Sequence, residues 1–353
     1  MSSKIPVGIL GATGTVGQRF IQLLENHPWF EVAWLAASDR SAGKPYVEAA
    51  KWKQQTDIPA RVAKMTMNAA EPSADAPRII FAALDSVAAK EIEPRFAAAG
   101  HIVITNSSAL RMQEDVPLMI PEVNGDHLAL IDTQAWRTSA NKGFVVTNPN
   151  CSAIGLVMAL APLMQFGIEK VAAVTMQAVS GAGYPGVASL DILGNVIPYI
   201  ASEEEKMEAE TKRLLGKLSG GKVIHADFAM TAHCNRVAVE DGHTESVSVG
   251  FRSKPTREQI LTAWRESAKT SKIAGLDLPS APKEWIHYDE RQDRPQPRLD
   301  IHRGRGMVCT IGRLRECGLL DWKFTVLSHN TVRGAAGAAI LNAELLKVKG
   351  YLD

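Results

Sequence analysis

Apolar and polar positions fall into two textures along the chain. Residues 5–10 form a short apolar run closed by glycine, as expected of a strand buried on both faces of a parallel sheet. Residues 18–25 follow with an amphipathic, helix-like pattern, and residues 31–37 form a second apolar run that ends at Ser38. Further strands are predicted at 78–83, 101–105 and 143–147, with helical patterns at 86–99 and around 123–130. Strands alternating with helices predict an α/β fold on a Rossmann-type, doubly wound parallel sheet.

Beyond Asn148 the texture changes. A helix is predicted to begin near Ser152 and to run through an apolar stretch, 153–164. The strand predicted at 170–178 leads into Ser180-Gly181-Ala182-Gly183. The charged run 202–213 reads as an exposed helix, with Glu208 and Lys212 spaced as a supporting pair. Strand-like runs at 237–240, 245–251, 307–314 and 319–327 predict a separate α+β domain with a mostly antiparallel sheet. The Ala-rich segment 331–346 reads as a helix returning to the first domain. The expected division is 1–149, 150–329 and 330–353, with no internal repeat.

A chain of 353 residues is long for one hydrophobic core, which agrees with two domains. The formal charge of +1 gives no bias toward nucleic acid or membrane and fits small-molecule chemistry. No apolar run reaches membrane-spanning length, and the N-terminus lacks a signal-peptide pattern, so a cytoplasmic location is expected. Four cysteines are too few for a disulfide framework. The adjacent His233 and Cys234 lack a second ligand pair, so no metal site is expected.

Gly11-Ala12-Thr13-Gly14-Thr15-Val16-Gly17 lies between the first strand and the first helix, where a dinucleotide's pyrophosphate meets backbone N–H groups. A tight turn without ligand would share this spacing. Ser38, Arg40 and Ser41, with Lys44 nearby, suit a 2′-phosphate and hence NADP; Asp39 between them would instead suit NAD. Arg40 could equally be a solvated loop charge.

Thr147-Asn148-Pro149-Asn150-Cys151-Ser152 puts Cys151 at a predicted helix start. Unpaired N–H groups there favour an anion and lower a thiol's pKa from about 8.5 into the range of roughly 3.5–7.5. A lone cysteine is otherwise an inert buried hydrophobe, the reading that suits Cys234, Cys309 and Cys317. A thiolate needs a proton-transfer partner. Of nine histidines, His243 closes Asn235-Arg236-Val237-Ala238-Val239-Glu240-Asp241-Gly242-His243, where a turn after Val239 could bring Arg236 and His243 into one cleft. Spacing alone also allows a surface turn histidine.

The segments Gly-Ala-Thr-Gly-Thr-Val-Gly, Asn-Pro-Asn-Cys-Ser, Gln-Ala-Val-Ser-Gly-Ala-Gly, Arg-Val-x-Val-x-Asp-Gly-His and Asn-Thr-Val-Arg-Gly-Ala-Ala-Gly occur in that order. Together they resemble aspartate-semialdehyde dehydrogenases, especially the archaeal and fungal branch. The resemblance implies NADP-dependent reduction of L-4-aspartyl phosphate to L-aspartate 4-semialdehyde, on the route to lysine, threonine and methionine. It implies Cys151 as nucleophile, His243 as acid–base and Gln177 as a positioning group. Arg236 would grip the α-carboxylate and Glu203 the α-ammonium, with Lys206, Arg111 and Asn150 at the phosphate. Gly11, Thr13, Gly14, Thr15, Val16 and Gly17 would hold the cofactor with Ser38, Arg40 and Ser41. Ser180, Gly181 and Gly183 would lie against it, and Asn330 would contact the nicotinamide.

Two features depart from the family pattern: Asp39 in the 2′-phosphate loop, and the basic turn Ile301-His302-Arg303-Gly304-Arg305-Gly306. The resemblance further implies a homodimer or homotetramer. Two alternatives stay open. Malonyl-CoA and other acyl-CoA reductases share the cysteine chemistry, and an NADP-sensing protein could keep the fold without catalysis.

Overall fold

The computed structural model describes residues 4–352. They form two compact units. The first carries six strands: β1 (Ile5–Leu10), β2 (Phe30–Ala37), β3 (Met67–Ala69), β4 (Ile79–Ala82), β5 (Ile102–Thr105) and β6 (Phe144–Thr147). Their order is β3-β2-β1-β4-β5-β6, and every adjacent pair is parallel. β4, β5 and β6 are buried along their whole length, which is why each reads as an almost unbroken apolar run. Chain order reverses between β1 and β4, where such sheets take ligands beyond the strand ends. Helix α1 (Thr15–Leu24) leaves that point after β1, and α2 (Ser86–Ala98) after β4. Asp85 starts α2 by accepting from the N–H groups of Val87 and Ala88.

The second unit contains Ile120–Asp126 and Pro149–Gly334. Its longer helices are α3 (Cys151–Leu160), α4 (Glu203–Leu214) and α5 (Arg257–Thr270). Its strands are β7 (Ile168–Gln177), the small hairpin β8 (Lys217–Ser219) and β9 (Lys222–Ile224), β10 (Ala229–Arg236), β11 (His243–Phe251), β12 (Ile286–Asp289), β13 (Cys309–Glu316) and β14 (Trp322–Ser328). The main sheet runs β10-β7-β11-β14-β13-β12. The three inner pairings are antiparallel and the two outer ones parallel, so the sheet is mixed. Helix α3 is apolar all round because all of its residues from Ser152 onward are buried. The chain returns as α6 (Gly337–Val348), which packs on β5 of the first unit; the buried Glu344 on α6 meets His27 at 2.8 Å.

Several elements differ from the sequence pattern. The strand predicted at 237–240 is a loop: Val239 N–H bonds back to Val237 O at 2.8 Å, a tight turn that ends strand pairing. Pairing with β7 instead makes a strand of Ala229–Arg236, whose own composition does not predict one. Helix α5 was not predicted, although its capping box, Thr256 with Gln259, is written in the sequence. The helix predicted at 153–164 stops at Leu160 and continues as a 3-10 turn, Ala161–Phe166.

The α4 segment is not simply an exposed helix. Glu208 and Glu204 accept from the N–H groups of Ala232 and Cys234, covering the outer edge of β10. Segment 120–126 lies outside the predicted second domain but belongs to that unit. Glu122 pairs with the fully buried Arg333 at 2.7 Å and accepts from Lys272 N–H. That pairing also keeps 330–334 in the second unit, so the returning segment starts at Ala335. Among the described residues, no helix is long and apolar enough to cross a membrane.

Candidate active site

Cys151 is the first residue of α3, and the helix is capped by the residue before it. Asn150 Oδ1 accepts from Ser152 N at 2.8 Å and Ala153 N at 3.0 Å. The sulfur therefore sits at the positive end of a helix that has no acidic residue in its first turn. Asn150 is held on its other sides too: Nδ2 donates to Glu203 Oε1 at 2.8 Å, and its N–H donates to Glu210 Oε2 at 2.5 Å. Its side chain is engaged in fixing the start of the helix, a different task from the phosphate contact implied by the resemblance.

Sequence spacing left the position of His243 open, and the fold settles it. His243 begins β11, is fully buried, and brings Nε2 to 3.2 Å from Cys151 Sγ. The N–H of Ala178 donates to Nδ1 at 3.1 Å, so Nδ1 is an acceptor and the ring's single proton lies on Nε2. The imidazole thus donates to sulfur, the arrangement of a neutral ring beside a thiolate. Burial pulls the His243 pKa down to about 3, helped by the charges of Arg236 and His329, which opposes a second proton at neutral pH. The cation coupled to the sulfur is instead Arg236: burial lowers its pKa, a charge on Cys151 opposes that, and Nη1 donates to Ala178 O at 2.8 Å.

Gln177 ends β7 and is paired in register with Arg236 at the end of β10. Its Nε2 donates to Glu203 Oε1 at 3.1 Å, the same oxygen that receives Asn150. Glu203 is buried and Lys206 is half-buried one turn along α4. Gly181 lies against this cluster: a Cβ there would sit 2.8 Å from Arg236 Nη1 and 3.1 Å from His243 Cε1. Ser180 donates to Asp241 Oδ1 at 2.7 Å and accepts from Asn330 Nδ2 at 2.8 Å. Asn330 Oδ1 accepts from Gly242 N, so both ends of this amide brace the loops around His243.

In the first unit the glycine turn has the shape its sequence suggests. Gly11 has φ +77°, and a Cβ there would lie 2.4 Å from Ala83 O. A Cβ on Gly17 would lie 2.3 Å from Gly11 O, so only glycine lets α1 start this close to β1. Gly14 precedes Thr15, Val16 and Gly17 in the first turn of α1. A cavity of about 510 Å³ opens beside Gly11, Thr13 and Gly14, within the range of roughly 300–1,000 Å³ usual for ligand pockets. Ser38 and Asp39 line it, while Arg40 is exposed on the turn that follows and Ser41 is half-buried there. Arg111, in the loop after β5, is buried and donates through Nη2 to Asn106 O at 2.6 Å.

Comparison with known proteins follows both units. Residues 6–131 match the family described as "Semialdehyde dehydrogenase, NAD binding domain", and residues 160–333 match "Semialdehyde dehydrogenase, dimerisation domain". The aspartate-semialdehyde dehydrogenase of Archaeoglobus fulgidus is 51% identical over 97% of this chain and 98% of its own length. The chain belongs to the aspartate-semialdehyde dehydrogenase family. The Saccharomyces cerevisiae member is 44% identical over 100% of both chains. The crystal structure of the Candida albicans member with NADP superimposes with a TM-score of 0.89 at 42% identity, covering 98% of this chain and 99% of that one.

The family resemblance at the sequence level had named neither Gly334, His329 nor Glu245. A Cβ on Gly334 would lie 2.9 Å from Cys151 Cβ, so this glycine lets the turn Val332–Ala336 press on the start of α3. In the sequence it is the first glycine of Asn-Thr-Val-Arg-Gly-Ala-Ala-Gly, inside an otherwise helical run. The remaining cysteines are placed as expected of inert residues at two positions: burial pushes Cys234 up to about 12 and Cys309 up to about 11. Cys317 is half-buried and its pKa is lowered, with backbone hydrogen bonds and Lys323 offsetting its desolvation.

Gly181 gives this family member a sharp test. Gly181→Ala would push a methyl against a guanidinium already tied to Ala178 O and against a packed imidazole. Turnover is expected to fall by about 100-fold, because displacements near 1 Å at the reacting groups cost that much. Steady-state kinetics check it, and wild-type kcat in the variant would show that the loop does not fix the pair.

Glu245, paired in register with Thr175, is fully buried and neither carboxyl oxygen has a hydrogen-bond partner. Burial, and then the charge of Glu203, push its pKa well above the ordinary value of 4.5. The folded state therefore keeps a proton that the unfolded chain releases above pH 4.5. By linkage this contribution is present below the unfolded pKa and lost as pH rises, by about 1.4 kcal/mol per pH unit while the folded form stays protonated. Glu245→Gln removes the titration. Urea unfolding should show the variant gaining on the native protein between pH 5 and pH 8, whereas parallel stability curves would contradict a protonated Glu245.

Proposed function

We propose that the chain catalyses NADP-dependent reduction of L-4-aspartyl phosphate to L-aspartate 4-semialdehyde with release of phosphate, and the reverse phosphorylating oxidation. The observation that carries this is Cys151 Sγ at a capped helix start, 3.2 Å from an imidazole whose proton faces it. The thiolate attacks the acyl carbon, the bond to the phosphate oxygen breaks, and a thioester forms on Cys151. Reduced NADP, when bound, supplies the hydride that takes the thioester to the aldehyde level. His243 Nε2–H donates a hydrogen bond to the acyl oxygen and stabilises the oxyanion that hydride transfer leaves on the tetrahedral thiohemiacetal carbon. The oxyanion collapses as the carbon–sulfur bond breaks, and the aldehyde leaves with the thiolate restored.

Arg236 is assigned to the substrate α-carboxylate, since its planar fork suits two parallel bonds. Glu203, a buried carboxylate, is assigned to the α-ammonium, and Gln177, tied to it, to positioning the acyl group. Arg111 and Lys206 are assigned to the phosphate. The close glycine turn and its adjoining cavity fit NADP, with Ser38 in the wall and Arg40 and Ser41 on the following turn for the 2′-phosphate. Asp39 in that wall works against the phosphate and weakens the preference over NAD. A cytoplasmic homodimer or homotetramer is proposed, supported by the exposed apolar side chains of Leu190, Leu193 and Tyr199.

The test is NADP reduction by aspartate semialdehyde with phosphate, or with CoA in its place. Activity with phosphate supports the assignment. Activity with CoA alone would replace it by acyl-CoA reduction.

A further inference from the structure

Beneath Arg111 the first unit holds a carboxyl that the chemistry at Cys151 does not use. Glu93, on α2, is completely buried. Its Oε1 accepts from Thr105 Oγ1 at 2.5 Å, and that hydroxyl accepts from Ser107 N at 2.9 Å. Its Oε2 is buried with no hydrogen-bond partner. The loop that Thr105 and Ser107 anchor carries Arg111, whose guanidinium is the charged group acting on Glu93. β5 and β6, against which α2 packs, bring only Ile, Val, Phe and Thr side chains. On α2 itself Lys90, Glu91 and Arg95 face solvent, and Arg95 pairs there with Glu71.

We propose that Glu93 is a positioning residue that couples anion binding at Arg111 to the uptake of one proton. This rests on the reading that Arg111 meets the substrate phosphate. With Glu93 ionised, its negative charge repels an anion bound at Arg111. With Glu93 protonated, that repulsion is removed and the anion is held more strongly. The only bond made is O–H at Glu93, the proton coming from solvent and returning there when phosphate leaves. Desolvation raises this carboxyl to about 7, opposed by the Thr105 bond and by Arg111, so both states are populated near neutral pH. Phosphate release is then accompanied by proton release, and alkaline conditions favour it.

Sulfate is the probe, because it keeps two charges from pH 6 to pH 8.5 while inorganic phosphate titrates. It is used as a competitor of phosphate in the oxidation of aspartate semialdehyde at saturating NADP. Its inhibition constant should rise about five- to tenfold across that range, the effect of moving one pKa by close to a unit. Glu93→Gln should hold the constant near its acidic value at every pH. An Arg111→Leu arm separates the two ideas. Unchanged phosphate KM and sulfate inhibition in that variant would remove Arg111 from the phosphate site. Weakened binding there, together with a native pH slope in Glu93→Gln, would overturn the proton coupling alone. Calorimetry of sulfate binding to the wild-type protein with NADP, in two buffers of different ionisation heat, needs no variant. Net proton uptake at pH 7 supports the coupling, and none overturns it.

Discussion

Cys151→Ser is expected to lower kcat by about 10⁴-fold or more while leaving NADP binding within a factor of a few. The serine side chain keeps the size of the cysteine and the capped helix start. A hydroxyl at that position has no adjacent base able to ionise it, because the only basic nitrogen of His243 is Nδ1, which is occupied by the Ala178 N–H. Losses of this size are typical when a catalytic nucleophile is removed and binding is left intact. Stopped-flow turnover and fluorescence titration with NADP measure the two quantities. A serine variant working within tenfold of wild type would mean that no covalent intermediate is formed on this residue.

His243→Gln should separate two roles that histidine combines in many thiol enzymes. If the ring were the counter-ion of the thiolate, replacing it would abolish both alkylation at neutral pH and turnover. Here the ring is neutral and donates through Nε2, whereas Arg236 and the helix start supply the positive field. The variant should therefore lose about 10²–10³-fold in kcat, the usual cost of disturbing a donor to a developing oxyanion. Alkylation by iodoacetamide should keep a thiolate-like pH profile. Arg236→Leu should do the opposite to the profile and move it to higher pH. If His243→Gln, and not Arg236→Leu, shifts the alkylation profile, an imidazolium–thiolate pair is the better description.

The legible parts of the fold were those set by local chemistry. β1, the glycine turn and α1 follow from a buried parallel strand that must be continuously apolar and from a turn that admits no Cβ. The parts that escaped were fixed by partners distant in the chain. Ala229–Arg236 is a strand because β7 pairs with it and α4 glutamates close its other edge. Segment 120–126 groups with the second unit, away from its neighbours in sequence, and its ion pair of Glu122 with Arg333 spans 211 positions.

For the site, the sequence by itself placed a cysteine at a helix start, since Asn150 caps its own helix within three residues. Its motifs were also enough to suggest the family. Only the tertiary structure decided that His243, 92 residues away, faces the sulfur with its proton on Nε2. It alone decided that Asn150 and Asn330 spend their amides on bracing, and that Glu93 and Glu245 are carboxyls shut away from water. Spacing encodes turns and caps because those involve neighbours. Protonation depends on what surrounds a group in space, and burial is contributed by the whole chain.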